Sequence, residues 1–128
     1  MKEPAVEIRV RLEHIADPLY VARNVVAEAL IRSSCRVERY MTLLLVTELT
    51  ANAVRHGGGV VTLVARAGET TARVEVHDAD PNLPIVRKVD PLEEAGRGMW
   101  LVDQLASDWG YSVVPDNGKA VWFELHAD

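Results

Sequence analysis

The sequence predicts an α+β fold: a two-layer sandwich whose mixed, mostly antiparallel sheet carries three helices on one face. Three observations predict it. Five short segments are rich in apolar residues or alternate apolar with polar, as half-buried strands do. Four of them form two adjacent pairs joined by turn residues, which read as hairpins. Helical patterning is confined to three other segments, without the one-for-one strand and helix alternation of a doubly wound fold.

Residues 5–12 open the chain as a strand, with Val6, Ile8, Val10 and Leu12 on one side and Glu7, Arg9 and Arg11 on the other. Asp17-Pro18 is a helix start, Asp as N-cap and Pro at the first helical position, and that helix runs to about Ser33. A second helix is expected over 37–56, ended by Gly57-Gly58-Gly59 as a left-handed cap. Strands over 60–66 and 71–77 follow, turned at Gly68-Glu69, and then an irregular stretch over 78–95 with Pro81, Pro84 and Pro91. A third helix over 98–107 presents Leu101, Val102 and Leu105 on one face. Strands over 111–114 and 120–126 flank the turn Pro115-Asp116-Asn117-Gly118-Lys119 and close the chain.

A chain of 128 residues has the length of one domain with one sizeable core, and no linker or repeat divides it, so 1–128 reads as a single unit. A formal charge of -5 argues against a nucleic-acid partner held by bulk electrostatics. One cysteine, Cys35, allows neither an internal disulfide nor a cysteine-rich zinc site. No apolar run approaches the roughly 20 residues of a membrane span, and no signal core follows Met1, so the expected placement is cytoplasmic with no membrane partner.

Chemistry is concentrated on the second helix. Met41, Leu44, Leu45, Leu49 and Ala53 define an apolar arc, and Glu48, Asn52 and His56 stack at i, i+4 and i+8 near its middle, with Thr50 on the solvated flank. A carboxylate and a carboxamide are costly to bury without partners, so the line reads as a site or as a structural polar network. Three other features are weaker alone. Asp78 ends a strand, where its carboxylate is placed to accept from an exocyclic amine such as the N6 amine of adenine. Asp80 and Asn82, in the turn that follows, are the residue types that best tolerate positive φ. Gly96-Arg97-Gly98-Met99 opens a helix, where free N–H groups and the dipole favour an anion such as phosphate. Gly118-Lys119 precedes the last strand, and its plain reading is a structural hairpin.

The order of these features is more specific than any one of them. Glu48-Leu-Thr-Ala-Asn52-Ala53-Val-Arg-His56, then Asp78-Ala-Asp80-Pro-Asn82-Leu-Pro84, then Gly96-Arg-Gly98-Met-Trp-Leu-Val-Asp103, then Gly118-Lys-Ala-Val-Trp-Phe-Glu-Leu resemble the ATP-binding domain of the GHKL superfamily, shared by gyrase, histidine kinases and mismatch-repair proteins. The likeness spans nearly the whole chain and is greatest to a short, stand-alone branch, the bacterial anti-sigma-factor serine kinases.

That resemblance implies ATP and Mg²⁺ as cofactors, Asn52 as the magnesium ligand and Glu48 as the general base. It also implies Asp78 as the adenine-reading carboxylate and Gly96 and Gly98, with Arg97 and Met99, as the residues at the phosphates. Asp80 and Asn82 fall beside the base, residues 85–95 become a short lid with Arg87 and Lys88 over the triphosphate, and Arg55 and His56 support that lid. The implied activity is an ATP-dependent serine/threonine protein kinase that phosphorylates an anti-sigma-factor antagonist and sequesters a sigma factor, with a homodimer through an open sheet face or the first strand. The chain departs from the family where glycines usually stand, at Asp80 and Asn82, and where a threonine is usual, at Lys119-Ala120. Asp80 is thereby expected to bring a carboxylate near the nucleotide. These departures keep a second expectation in play, a non-catalytic interaction regulator on the same fold. A sensor histidine kinase module is the third, although no segment here serves as its phosphoacceptor hairpin.

Overall fold

The first strand, β1 (Val6–Arg11), alternates as its sequence requires, with Val6, Ile8 and Val10 half-buried and Glu7, Arg9 and Arg11 exposed. The structure, a computed structural model, describes residues 5–56, 61–86, 97–114 and 118–128. Helix α1 (Pro18–Arg32) starts where Asp17 accepts a hydrogen bond from the Tyr20 backbone N–H at 3.1 Å, and it buries Ala22, Val26, Ala29 and Leu30. Helix α2 (Arg39–His56) is capped by the Glu38 carboxylate, which accepts from the Met41 N–H. The expected triple-glycine cap, 57–59, lies outside the described residues.

Strands β2 (Val61–Ala67) and β3 (Thr71–Asp78) form the first hairpin, and β4 (Asp108–Val114) and β5 (Gly118–His126) form the second. Between the hairpins runs helix α3 (Arg97–Leu105). The sheet order is β1-β2-β3-β5-β4, and all four pairings are antiparallel. The expected mixed sheet is therefore corrected. Each neighbour pair runs in opposite directions because the α3 crossover delivers β4 to the edge and β5 returns between β4 and β3. The two hairpins, the three helices and the α+β class stand as expected.

One side of the sheet carries the core. Leu63, Ala65, Val74, Val76, Phe123 and Leu125 face the helices and are almost wholly shielded. From α2 they meet Thr42, Leu45, Val46, Leu49, Thr50 and Ala53, at i, i+3, i+4, i+7, i+8 and i+11. This stripe is rotated from the expected one. Thr50 is fully buried, not solvated, whereas Glu48 and Asn52 sit half-buried at the edge of the stripe and His56 is exposed. The strands supply a dense aliphatic floor, and a small β-branched residue fits against it more closely than a longer polar one. Thr42 satisfies its hydroxyl by donating to the Glu38 carbonyl at 2.7 Å, while Thr50 Oγ1 has no hydrogen-bond partner among the described residues.

The other side of the sheet is polar. Arg73 donates to Glu75 at 3.0 Å and to Glu124 at 2.8 Å, and its guanidinium lies 4.1 Å over the Trp122 ring. His77 and His126 sit within hydrogen-bond distance of the remaining oxygens of Glu75 and Glu124. Trp122 lies flat across β4 because residue 110 is glycine: a Cβ there would come within 2.7 Å of the indole. Burial pushes the Glu75 carboxyl up, but the Arg73 and His77 contacts outweigh it and hold it below the usual carboxylate value. The His126 and Arg73 contacts hold Glu124 down as well.

A carboxyl whose pKa falls on folding stabilises the protein above its unfolded value and loses that contribution as pH drops through the folded value. Urea unfolding between pH 6 and 3 is expected to show stability falling on the acid side. Arg73→Ala should flatten that slope and cost about 1 kcal/mol near neutral pH, because partly exposed pairs are each worth little.

Candidate functional site

A cavity of about 310 Å³ opens between the C-terminal half of α2 and the ends of β3 and β5. Its apolar wall is Leu49, Ala53, Val76, Met99 and Val121, and its polar rim includes Asn52, Arg55, His56, Asp78, Asp80, Asn82 and Lys119. Asn52, His56, Asp78, Asp80, Asn82 and Met99, expected from sequence to share a site, do line one space. Leu83, Pro84 and Ile85 continue the wall. Among the remaining expected residues, Gly96, Arg87 and Lys88 lie outside the described residues, as does the side chain of Arg97.

Glu48 is not part of the cavity lining, but it is coupled to it through Gly98. A Cβ on Gly98 would lie 3.2 Å from Asn52 Nδ2 and 3.4 Å from Glu48 Oε2. The first turn of α3 is therefore seated against both side chains. Glycine permits that approach, and α2 and α3 meet there without an intervening side chain. Unpaired N–H groups of a first helical turn favour an anion, so this junction sets an anion-attracting helix end beside a carboxamide and a carboxylate.

The floor is built by the pairing of β3 with β5, which sets Asp78 opposite Lys119. Gly118, immediately before, has φ +86°, and a Cβ on it would come within 2.0 Å of the Asp78 carbonyl oxygen, so only glycine fits. Asp78 and Lys119 are both buried, and Lys119 Nζ donates to Asp78 Oδ1 at 3.1 Å and to the Asp80 carbonyl at 3.1 Å. Asp80 Oδ2 lies 3.6 Å from the same nitrogen.

The turn after Asp78 does not use left-handed residues. Neither Asp80 nor Asn82 has positive φ; in the described residues only His14 and Ser34 do among the non-glycines. Two successive side-chain turns hold the chain instead. Asp78 Oδ1 accepts from the Asp80 N–H at 2.9 Å, and Asp80 Oδ1 accepts from the Asn82 N–H at 3.0 Å and from its Nδ2 at 2.8 Å. The Asn82 hydrogen bond and, more weakly, the Lys119 charge keep the Asp80 carboxyl below its ordinary value, against the burial that would raise it. Asp80 does line the cavity, as expected, and its carboxylate is engaged by its own loop and by Lys119.

Lys119 is the residue that sequence reading passed over. The signal was available: Lys119, Val121, Phe123 and Leu125 alternate onto one face of β5, so the lysine continues the core-facing line.

The arrangement suits a planar heterocycle with an attached polyanion. Aliphatic walls leave room for a ring, Asp78 sets a carboxylate at the floor, and the Asn52 carboxamide lies on the rim. Among the described residues no group of three or more His, Cys, Asp or Glu side chains could hold a metal, and the cavity rim carries the Asn52 carboxamide. Crowding at the junction is testable. Gly98→Val should destabilise the fold by about 1–3 kcal/mol in urea unfolding, whereas Gly98→Ala should stay within about 1 kcal/mol.

No helix among the described residues is long and apolar enough to cross a membrane. A search of curated proteins finds no significant match. The family model of the histidine kinase-like ATPase domain matches residues 9–125, from the first strand to the last. On that span, and with the same antiparallel sheet and three helices behind the cavity, the chain belongs to the histidine kinase-like ATPase family.

Proposed function

We propose that this chain is an ATP-binding regulatory serine/threonine protein kinase of the anti-sigma-factor type. It transfers the γ-phosphate of ATP to an anti-sigma-factor antagonist and sequesters a sigma factor. The observation that carries the reading is the close seating of Gly98 against Asn52 and Glu48, where an added Cβ would lie 3.2 and 3.4 Å from their side chains, beside a cavity whose floor is Asp78. ATP is held with adenine between Val76, Val121 and Met99, its N6 amine toward Asp78, and its phosphates toward the start of α3. Asn52 would hold Mg²⁺ through its carboxamide oxygen, since that ion needs only one protein ligand beside phosphate oxygens and water. When bound, Mg²⁺ neutralises charge on the phosphates.

Glu48 then has a defined task. As the hydroxyl oxygen of the antagonist bonds to the γ-phosphorus and the bond to the bridging oxygen breaks, Glu48 accepts the hydroxyl proton and ADP leaves. Glu48 stands one helical turn from Asn52, on the same side of α2. A second reading, a non-catalytic interaction regulator on the same fold, is favoured by one observation: Lys119 already occupies one oxygen of Asp78, the carboxylate the base must use.

Calorimetry with MgATP separates these outcomes. The kinase reading expects binding, loss of the magnesium effect in Asn52→Ala, and retained binding in Glu48→Gln with phosphoryl transfer reduced by about 100-fold or more. Unchanged transfer by Glu48→Gln removes it as the base. Absence of any heat at millimolar ATP removes both the kinase and the nucleotide-binding regulator, leaving only an interaction regulator that works without nucleotide.

A further inference from the structure

The floor of the cavity contains a buried lysine for which the proposed kinase reaction has no use. Lys119 Nζ is 3.1 Å from Asp78 Oδ1 and 3.6 Å from Asp80 Oδ2, so two carboxylates share one ammonium. Asp78 Oδ1 also accepts the Asp80 N–H at 2.9 Å. Asp78 Oδ2 accepts nothing from the described residues, which leaves it as the oxygen available to a ligand. Charges removed from water hold only when they are paired. Without the ammonium, Asp78 Oδ1 keeps only the Asp80 N–H among the described residues, and no side chain of β5 fixes the orientation of the carboxylate.

We propose that Lys119 is a positioning residue that sets base specificity: by pinning Oδ1, it fixes the orientation of the Asp78 carboxylate and presents Oδ2 as a pure hydrogen-bond acceptor. This rests on the reading of the cavity as a nucleotide site. A pure acceptor selects a purine with an amine at position 6, because an oxo group there would place oxygen against oxygen. An Asp78 carboxylate released from Lys119 no longer holds Oδ2 toward the base and discriminates less. Lys119 therefore acts on which base is held, through Asp78, without touching the phosphates. The other charged groups lining the space are Asp80 from the turn and Arg55 and His56 from the end of α2. ATP and ITP carry the same triphosphate, so charge changes at Arg55 or His56 bear on both alike.

The test is the ratio of ATP to ITP affinity, measured by calorimetry at pH 6.5 on the wild-type protein, Lys119→Met and Lys119→Gln. Gln keeps a neutral donor of shorter reach and guards against a Met variant that fails to fold, which far-UV circular dichroism and a thermal melt reveal. Wild type should prefer ATP by about 10- to 100-fold, the range of one hydrogen bond to a charged group. In Lys119→Met the ratio should fall to within about threefold of one, mainly through weaker ATP binding, and in Lys119→Gln it should fall in the same direction. A folded variant that weakens both nucleotides equally, or that leaves the ratio unchanged, overturns the assignment while the nucleotide site stands. A wild type that binds neither nucleotide overturns the reading of the cavity itself, and this inference with it.

Discussion

The antiparallel pairing of β3 with β5 is the constraint on which the rest of the structure depends. Its eight residue pairs run from Thr71 opposite His126 to Asp78 opposite Lys119. These two strands join hairpins distant in sequence, and they do so across the crossover through α3. Gly118 permits the closest approach of their ends, and the carboxylate and the ammonium meet directly beyond it. The core and the cavity floor are thus successive stretches of one pairing: Val74 with Phe123, Val76 with Val121, then Asp78 with Lys119.

Helix α2 converts that platform into a site. Its apolar stripe is held by the sheet, and the residues at the edge of the stripe inherit their orientation from it. Asn52 and Glu48 are half-buried because Leu49 and Ala53, between and beside them, are fully committed to the core. The first turn of α3 closes over them through Gly98. Positional precision in this region thus comes from packed aliphatic side chains, while the chemistry is carried by neighbours that packing alone would not select.

Much of this was legible in the sequence, and what was missed has physical reasons. Every strand and helix was found, because β1 and β3 alternate strictly and Asp17-Pro18 marks a helix start by its own chemistry. Termini differ by at most three residues, most at the start of β4, where Asp108, Gly110 and Ser112 give little apolar signal on the outward side. Sheet order was beyond reach, since pairing of β5 with β3 is a long-range choice that no local pattern encodes. The expected face of α2 differs from the observed one because threonine is ambiguous: its methyl packs like valine and its hydroxyl can bond back to the preceding turn, so Thr50 reads as polar from sequence although it is buried. The residues that line the cavity were legible as an ordered series of motifs, but the burial of Lys119 was not, since a lysine after a glycine in a turn looks like surface until its strand partner is known.

Strand β3 has a double allegiance. Its even-numbered residues, Ala72, Val74, Val76 and Asp78, belong to the core and the cavity, and its odd-numbered residues, Arg73, Glu75 and His77, belong to the charged network on the opposite face. The strand can therefore accept many replacements one residue at a time, each judged by the side it serves. It has no tolerance for a change in length, because inserting or deleting one residue would exchange the two sets, placing carboxylate and guanidinium in the aliphatic layer and valines in water. In evolutionary terms β3 is free to vary in spelling but not in count.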